Sequence, residues 1–408
     1  MVAHKVMNMK QDAEMASAGS RGEEVRSDCW VEVGLRRSGG VSVEIESKVG
    51  ALYGTSIRAL AEKVAESLGV SNARISVVDA GALPFVIAAR LECAFKRADP
   101  GINGSYLPPF LPRPKRPESR PPLRRSRLYL PGNQPKFMIN AGLHGPDAVI
   151  LDLEDSVPPG EKDSARLLVR NALRSLDFYG AERMVRINAA DEGLIDIAHV
   201  LPGGPDVIVV PKCDSPAQVR EITRAINASP RSPEMPAEVR VLPIIETPLG
   251  VVNAFAVASA DKSVCALAIG LEDLTAHLGT ARTRDGLESL YARQAVVLAA
   301  RAAGVQPLDS VYSDVSDVEG LRESCKISRR LGFDGVGCIH PRQIDPIHQA
   351  LAPTVEELEW ARKVKAASGA AEAAGQGAVA VDSQMVDPPV VRRAERLLEI
   401  ANRVGLKV

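Results

Sequence analysis

Two grammars of apolar and polar positions follow one another along the chain. Near the start, residues 30–33 and Val41–Ile45 alternate with period two, the pattern of half-buried strands. Ile57, Leu60, Ala61, Val64 and Leu68 then recur at helical spacing, with Gly69 placed to end the helix. Residues 73–78 read as a strand, and 82–95 as a strand or a helix. These elements predict a small α+β module over residues 18–98, behind a disordered lead-in over 1–17 that lacks any apolar period. Pro100, Pro108, Pro109, Pro112, Pro114, Pro117, Pro121 and Pro122 then exclude a helix or a central strand between residues 99 and 123. That stretch reads as a semi-rigid tether of about 25 residues, reaching on the order of 75 Å at ~3.1 Å each.

Beyond the prolines the grammar changes. Short β-branched runs at 147–153, 184–187, 207–210, 239–244, 266–269 and 335–339 alternate with helical stretches such as Ser164–Ser175, Pro216–Asn227 and Leu290–Ala303. Alternation sustained over this length predicts an α/β fold, a (β/α)8 TIM barrel over residues 124–350, more than an open sheet. No G-x-G-x-x-G follows the first strand, which counts against a dinucleotide-binding sheet. Residues 351–408 read as a C-terminal helical lid or extension.

Composition narrows the possibilities. The chain is 45% hydrophobic and 25% charged, as expected of a soluble protein able to bury a core. Its formal charge of −1 provides no global field for nucleic acid or a membrane surface. Six cysteines without any C-x-x-C spacing argue against a zinc site and against a disulfide framework. The N-terminus is polar rather than signal-like, and no run of about 18 apolar residues exists, so a soluble cytoplasmic protein is expected.

In such barrels the chemistry gathers at the C-terminal ends of the strands. Arg127, the acids Glu154 and Asp155, Arg186, Lys212, Glu246, Asp273 and His340 stand at successive predicted strand ends. Acids interleaved with bases in this way suit a metal ion that binds an anionic substrate. A hard divalent cation such as Mg2+ takes carboxylate oxygens, for which Glu246 and Asp273 are the natural ligands. Arg127 and Arg186 are the natural clamps for carboxylate or phosphate through their forked donors. Lys212 reads as an ion-pair partner of the barrel acids; a Schiff-base role would require a dry site and a depressed pKa. His340 reads as a buried structural histidine, with catalysis as the alternative.

These residues sit in runs that carry a resemblance. Residues 125–132, 147–157, 185–188, 243–247, 270–274, 332–335, 339–343 and 385–388 resemble, in order, the beta chain of bacterial citrate lyase. They are similar also to its malyl- and citramalyl-thioester lyase relatives, on the barrel of the HpcH/HpaI aldolase family. The resemblance implies Mg2+ on Glu246 and Asp273, with Arg127 and Arg186 holding oxo-acid carboxylates or a phosphate of the thioester arm. It implies that Glu154 and Asp155 hold water or brace the site, with a purely structural role as the alternative. Asp387 is similar to a lid aspartate that a neighbouring subunit supplies as general acid; its alternative is the N-cap of a helix over Val390–Ile400.

Residues 18–28, 79–83 and 89–94 resemble the acyl-carrier gamma chain of citrate lyase. That chain carries a phosphopantetheine-type, dephospho-coenzyme-A-derived group on a serine just before an aspartate. Ser27 is the implied attachment point and Ser20 the second choice, although Arg26 occupies the position two before Asp28 where the pattern has its serine. The activity implied is a retro-Claisen cleavage of citryl-thioester, carrier- or coenzyme-A-bound, to oxaloacetate and acetyl-thioester. A separate acyltransferase (alpha) subunit is the implied partner, and a homo-oligomer, trimer or hexamer, the implied assembly. The alternatives are a malyl- or citramalyl-coenzyme A lyase with a vestigial front module, and a non-catalytic subunit that positions a carrier.

Overall fold

The structure is a computed structural model and describes residues 15–112, 122–373, 379–381 and 384–406. The N-terminal module contains β1 (Ala16–Gly19), β2 (Cys29–Leu35), β3 (Val41–Ser47), α1 (Gly50–Ser67), β4 (Ala73–Asp79) and α2 (Pro84–Ala98). Its sheet has the order β1-β2-β4-β3, with β3 and β4 parallel across α1 and the other pairs antiparallel. Ile57, Ala61 and Val64 on the predicted face of α1 are buried. The segment at 82–95 resolves to helix because Pro84 opens it at the first helical position, where its missing N–H is no loss. Strand β1 begins at Ala16, inside the expected lead-in, whose residues through 14 lie outside those described.

Helix α2 is buried continuously from Phe85 to Phe95. A helix hidden on every side has to be sandwiched. The module's β1 and β2 cover one flank, and a barrel helix covers the other.

That barrel runs β5 (Ser126–Pro131), α3 (Pro135–Met138), β6 (Ala148–Asp152), α4 (Lys162–Ser175), β7 (Glu182–Arg186), α5 (Ala190–Val200), β8 (Val207–Val210) and α6 (Pro216–Ala228). It continues through β9 (Arg240–Ile245), α7 (Pro248–Val252), α8 (Ala254–Ala258), β10 (Ala266–Ile269), α9 (Leu271–Leu278), α10 (Leu290–Ala302), β11 (Gln306–Val311), α11 (Val318–Leu331), β12 (Gly335–Cys338) and α12 (Ile344–Leu351). The eight parallel strands close through the β12–β5 pair. Ile150, Met184, Val209, Leu242, Ile244 and Leu308 fill the interior, while the alternating Val149, Leu151, Val185 and Ile208 join the core around it. Strand β11 is the one the apolar pattern hides. Gln306, Pro307 and Asp309 interrupt its run, and an irregularity in its pairing with β12 falls between Asp309 and Val311.

The described part of the proline-rich stretch is not a free tether. Arg170 donates to the Tyr106 carbonyl at 3.0 Å, and the Tyr106 N–H donates to Glu92 at 3.1 Å. The Leu111 N–H donates to the Arg174 carbonyl at 2.7 Å, and the Arg174 guanidinium lies 3.7 Å from the Phe110 ring centroid. Proline density excludes regular structure but leaves carbonyls and aromatic rings free, and two arginines of α4 collect them. Pro114, Pro117 and Pro121 lie outside the described residues.

At the C-terminus α13 (Val355–Ala373), the hairpin β13 (Val379–Val381) and β14 (Gln384–Val386), and α14 (Pro388–Arg403) follow. Ala361, Val364, Val386 and Ala394 form a small core of their own there. Among the described residues no helix is long and apolar enough to cross a membrane.

Candidate active site

A cavity of about 480 Å³ opens at the C-terminal end of the barrel strands. Arg127, Asp152, Asp155, Arg186, Glu246 and Asp273 all line it. Five of these are residues that the strand-end pattern predicts; Asp152 lay inside a recognised run without being singled out.

Arg186, the last residue of β7, is gripped from one side by Asp152, the last residue of β6. Nε and Nη2 donate to the two Asp152 oxygens at 2.7 and 2.8 Å. Burial alone would raise the Asp152 carboxyl, but the paired guanidinium overcomes it and holds the group below the usual carboxylate range. Nη1 of Arg186 lies 2.7 Å from Glu154 Oε2 in ion-pair contact, yet that oxygen receives no well-aligned hydrogen bond. Glu154 accepts instead from Lys212 Nζ, at 2.9 Å on its other oxygen. Burial, with the neighbouring Asp155, keeps the Glu154 carboxyl above its ordinary value despite both cations. Asp155 is 60% exposed and stands 3.9 Å from Arg186, at the rim. Lys212 therefore takes the ion-pair role expected of it, and its pKa is raised by the hydrogen bond to Glu154, the opposite of what a Schiff-base lysine needs.

The Lys212 backbone contributes as well. Its φ of 48° is unusual for a non-glycine residue. From that conformation its N–H donates to Glu246 Oε1 at 2.6 Å. Glu246 follows β9 directly and is 3% exposed. Burial, with repulsion from Asp273 and Glu154, pushes its carboxyl up to about 7. Asp273 sits in the first turn of α9. Gly270 lies against Glu246 so closely that a Cβ there would come within 2.4 Å of Oε2.

Arg127 differs from every other arginine at the site. It is 2% exposed, its Nη2 donates to the Asp309 carbonyl at 2.7 Å, and its Nη1 has no hydrogen-bond partner among the described residues. The Asp309 carboxylate is taken by Arg293 at 2.5 Å and by Ser328 at 2.7 Å. Among the described residues no carboxylate forms an ion pair with Arg127 at the cavity wall, and burying such a charge, which lowers its pKa, is unfavourable unless an anion arrives. Asp309 was missed along with strand β11, for the same reason.

Two further candidates, Asp387 and His340, are not among the residues that line the cavity. Asp387 accepts the Val390 N–H at 3.2 Å and caps α14. His340 is only half-buried; its Nδ1 accepts the Arg342 N–H at 3.1 Å, which caps a short turn rather than filling a core.

The two carboxylates that crowd the cavity fit a divalent cation. Among the described residues no group of three or more His, Cys, Asp or Glu is arranged to hold a metal. Mg2+ does not need one, because it keeps several waters and takes one or two carboxylates plus substrate. A cation between Glu246 and Asp273 would relieve the repulsion that now raises the Glu246 pKa.

The model of the HpcH/HpaI aldolase/citrate lyase family matches residues 125–341, and that of the malonate decarboxylase delta subunit (MdcD), an acyl-carrier family, matches 16–98. The citrate lyase subunit beta of Leuconostoc mesenteroides subsp. cremoris is 40% identical over 283 residues, covering 69% of this chain and 94% of that protein. The mitochondrial citramalyl-CoA lyase of Homo sapiens is 30% identical over 296 residues, covering 70% and 87%. The crystal structure of CitE from Mycobacterium tuberculosis with magnesium, acetoacetate and coenzyme A superposes with a TM-score of 0.57 at 35% identity, covering 69% of this chain and 98% of that one. The barrel, the paired acids at its mouth and these matches together show that the chain belongs to the HpcH/HpaI aldolase/citrate lyase family, as a lyase with an acyl-carrier-type module in the same chain.

Proposed function

We propose that this chain is a Mg2+-dependent carbon–carbon lyase that cleaves citryl-thioester to oxaloacetate and acetyl-thioester. The observation that carries the reading is the division of charge in the cavity. Arg186 is matched by Asp152 and Glu154, and Lys212 by Glu154, so that side is close to neutral. Glu246 and Asp273 call for a cation, and the unpaired Arg127 calls for an anion. A hydroxy-dicarboxylate bridging a metal ion and a buried guanidinium meets both demands.

The residues have separable tasks. Glu246 and Asp273 would hold Mg2+, with the Lys212 N–H fixing the orientation of Glu246. When bound, the ion would act as a Lewis acid on substrate hydroxyl and carboxylate oxygens. Arg127 receives one carboxylate in a fixed position, without reorganisation during reaction. Arg186, oriented by Asp152, faces the second carboxylate or a phosphate of the thioester arm. As the carbon–carbon bond breaks, the hydroxyl passes its proton to a water or a carboxylate side chain at the cavity, and the acetyl-thioester enolate gains one. Asp387 of a neighbouring copy would donate that second proton, which requires a homo-oligomer, a trimer or hexamer in this reading. Ser27 would carry the dephospho-coenzyme-A-derived arm, loaded by an acyltransferase partner.

A second reading, cleavage of a free malyl- or citramalyl-coenzyme A thioester, is favoured by Arg26 standing where the carrier pattern has its serine. The test is to offer the purified chain citryl-, citramalyl- and malyl-coenzyme A with Mg2+ and with chelator, and to measure the oxo acid released. Mg2+-dependent oxaloacetate from citryl-coenzyme A as the fastest reaction is expected. Faster pyruvate release from citramalyl-coenzyme A would move the assignment to the second reading.

A further inference from the structure

We infer that the N-terminal module does not swing, and that it is docked permanently on its own barrel with Ser27 at the rim of the active-site mouth. The inference rests on the reading of Ser27 as the carrier serine and adds where that serine works.

The docking surface is built as an interior. All residues of α2 from Phe85 to Phe95 are buried, and so are all residues of α4 from Ser164 to Leu173. Phe85, Leu91 and Phe95 of the module and Leu167, Leu168 and Val169 of the barrel belong to one continuous apolar core. Two charged pairs lie inside it. Glu92, 0% exposed, is bound by Arg170 of the barrel at 2.7 Å. Arg90, 2% exposed, holds both Asp28 oxygens at 3.0 and 2.9 Å and also donates to Ser164 at 2.5 Å and to the Asn133 carbonyl at 3.1 Å. Detaching the module would expose this apolar face and break the Arg170–Glu92 pair and the Arg90 bonds to Ser164 and Asn133, contacts too extensive for independent domains joined by a tether.

The position of the contact gives it a function. Asn133 follows strand β5 and Ser164 lies in the first turn of α4, so both stand on the mouth side of the barrel. Pro131, the last residue of β5, and Asp155 and Ser156 of the β6–α4 connection line the cavity. Arg90 therefore ties the aspartate beside Ser27 to the loops that frame the active site. The path from Ser27 to Asp28, across Arg90 to the Asn133 carbonyl and back two residues to Pro131 spans at most about 25 Å. Ser27 has a φ of 59°, and its hydroxyl makes no hydrogen bond among the described residues. The arm alone would make the traverse, delivering substrate to the barrel of the same chain.

The module can be locked to test this. Cys93 Sγ lies 3.6 Å from Asp163 Oδ2 across the α2–α4 contact, so Asp163→Cys offers a disulfide that ties module to barrel. In the holoenzyme, oxidised Asp163→Cys should turn over without loss relative to its reduced form. In the unmodified chain, hydrogen exchange of residues 84–98 should be as slow as that of α4. Activity that disappears on oxidation and returns on reduction would overturn the inference, as would α2 amides that exchange in a separate, faster phase. If Asp163→Cys fails to fold, Arg90→Met should speed exchange across 84–98 while α4 stays protected at its barrel side; unchanged exchange there would also overturn it. Peptide mass at Ser27 is read in parallel: a bare serine on a slowly exchanging module refutes the carrier reading and leaves the docking standing.

Discussion

Replacing Gly270 by alanine should disable cation binding while leaving the barrel folded. The glycine has φ −108° and ψ 106°, which alanine adopts without strain, so backbone effects drop out. What remains is the new Cβ, 2.4 Å from Glu246 Oε2 and 2.8 Å from its Cβ, where ordinary contact begins at 3.4 Å. Glu246 must therefore withdraw by about 1 Å, although the Lys212 N–H pins its other oxygen at 2.6 Å. Mg2+ demands near-ideal octahedral geometry, and distances at metal sites tolerate about 0.2 Å. The shift thus removes one of two protein ligands, for which a loss of at least about tenfold in affinity, ~1.4 kcal/mol, is expected. Overpacking costs about 1–3 kcal/mol, and the smaller entropy of the unfolded chain returns about 0.4–1 kcal/mol, so the fold survives. Calorimetric titration of the variant with Mg2+, beside a thermal melt, separates the two effects. An unchanged Mg2+ affinity in a folded variant would refute the assignment of Glu246 as a ligand.

Asp152→Asn should release the grip on Arg186 and lower kcat/KM about 10²-fold, ~3 kcal/mol, together with the melting temperature, because the buried carboxylate stabilises the fold in its charged form; steady-state kinetics on citryl-coenzyme A and a thermal melt check it. Glu246, pushed up to about 7, binds a proton in the metal-free fold that the unfolded chain releases near 4.5. Its contribution to stability is therefore full below about 4.5 and is lost as pH rises through 7, on the order of 3 kcal/mol. Mg2+ should accordingly raise the melting temperature more at pH 8 than at pH 6, and melts at both values with and without Mg2+ check it. Arg170→Met should destabilise the chain by about 1.5–3 kcal/mol because it leaves the fully buried Glu92 to Lys96 and the Tyr106 N–H, whereas Arg170→Met with Glu92→Met should recover most of the loss. Denaturant titrations of the two single variants and the double variant measure that coupling.

The amino-acid sequence alone carried the barrel, because its strands are buried on both faces and read as short apolar runs closed by polar residues. It carried Arg127, Arg186, Glu246 and Asp273 for a related reason, since strand ends in such a barrel all point to one mouth. It did not reveal β11, where a proline and an aspartate replace the apolar run, and so Asp309 went unseen, and with it the task of Arg293 on the predicted helix α10. Nor could it say that Arg186 is satisfied while Arg127 is not, because partners at 152 and 309 meet those arginines only once the barrel closes. The proline-rich stretch looked like a tether because local preference forbids regular structure there, whereas attachment is decided by partners distant in sequence. Those partners are Arg170 and Arg174 on a helix that local patterning reads only as one more barrel helix. Periodicity along a chain reports which side of an element is buried; which elements share that burial is settled by packing in three dimensions.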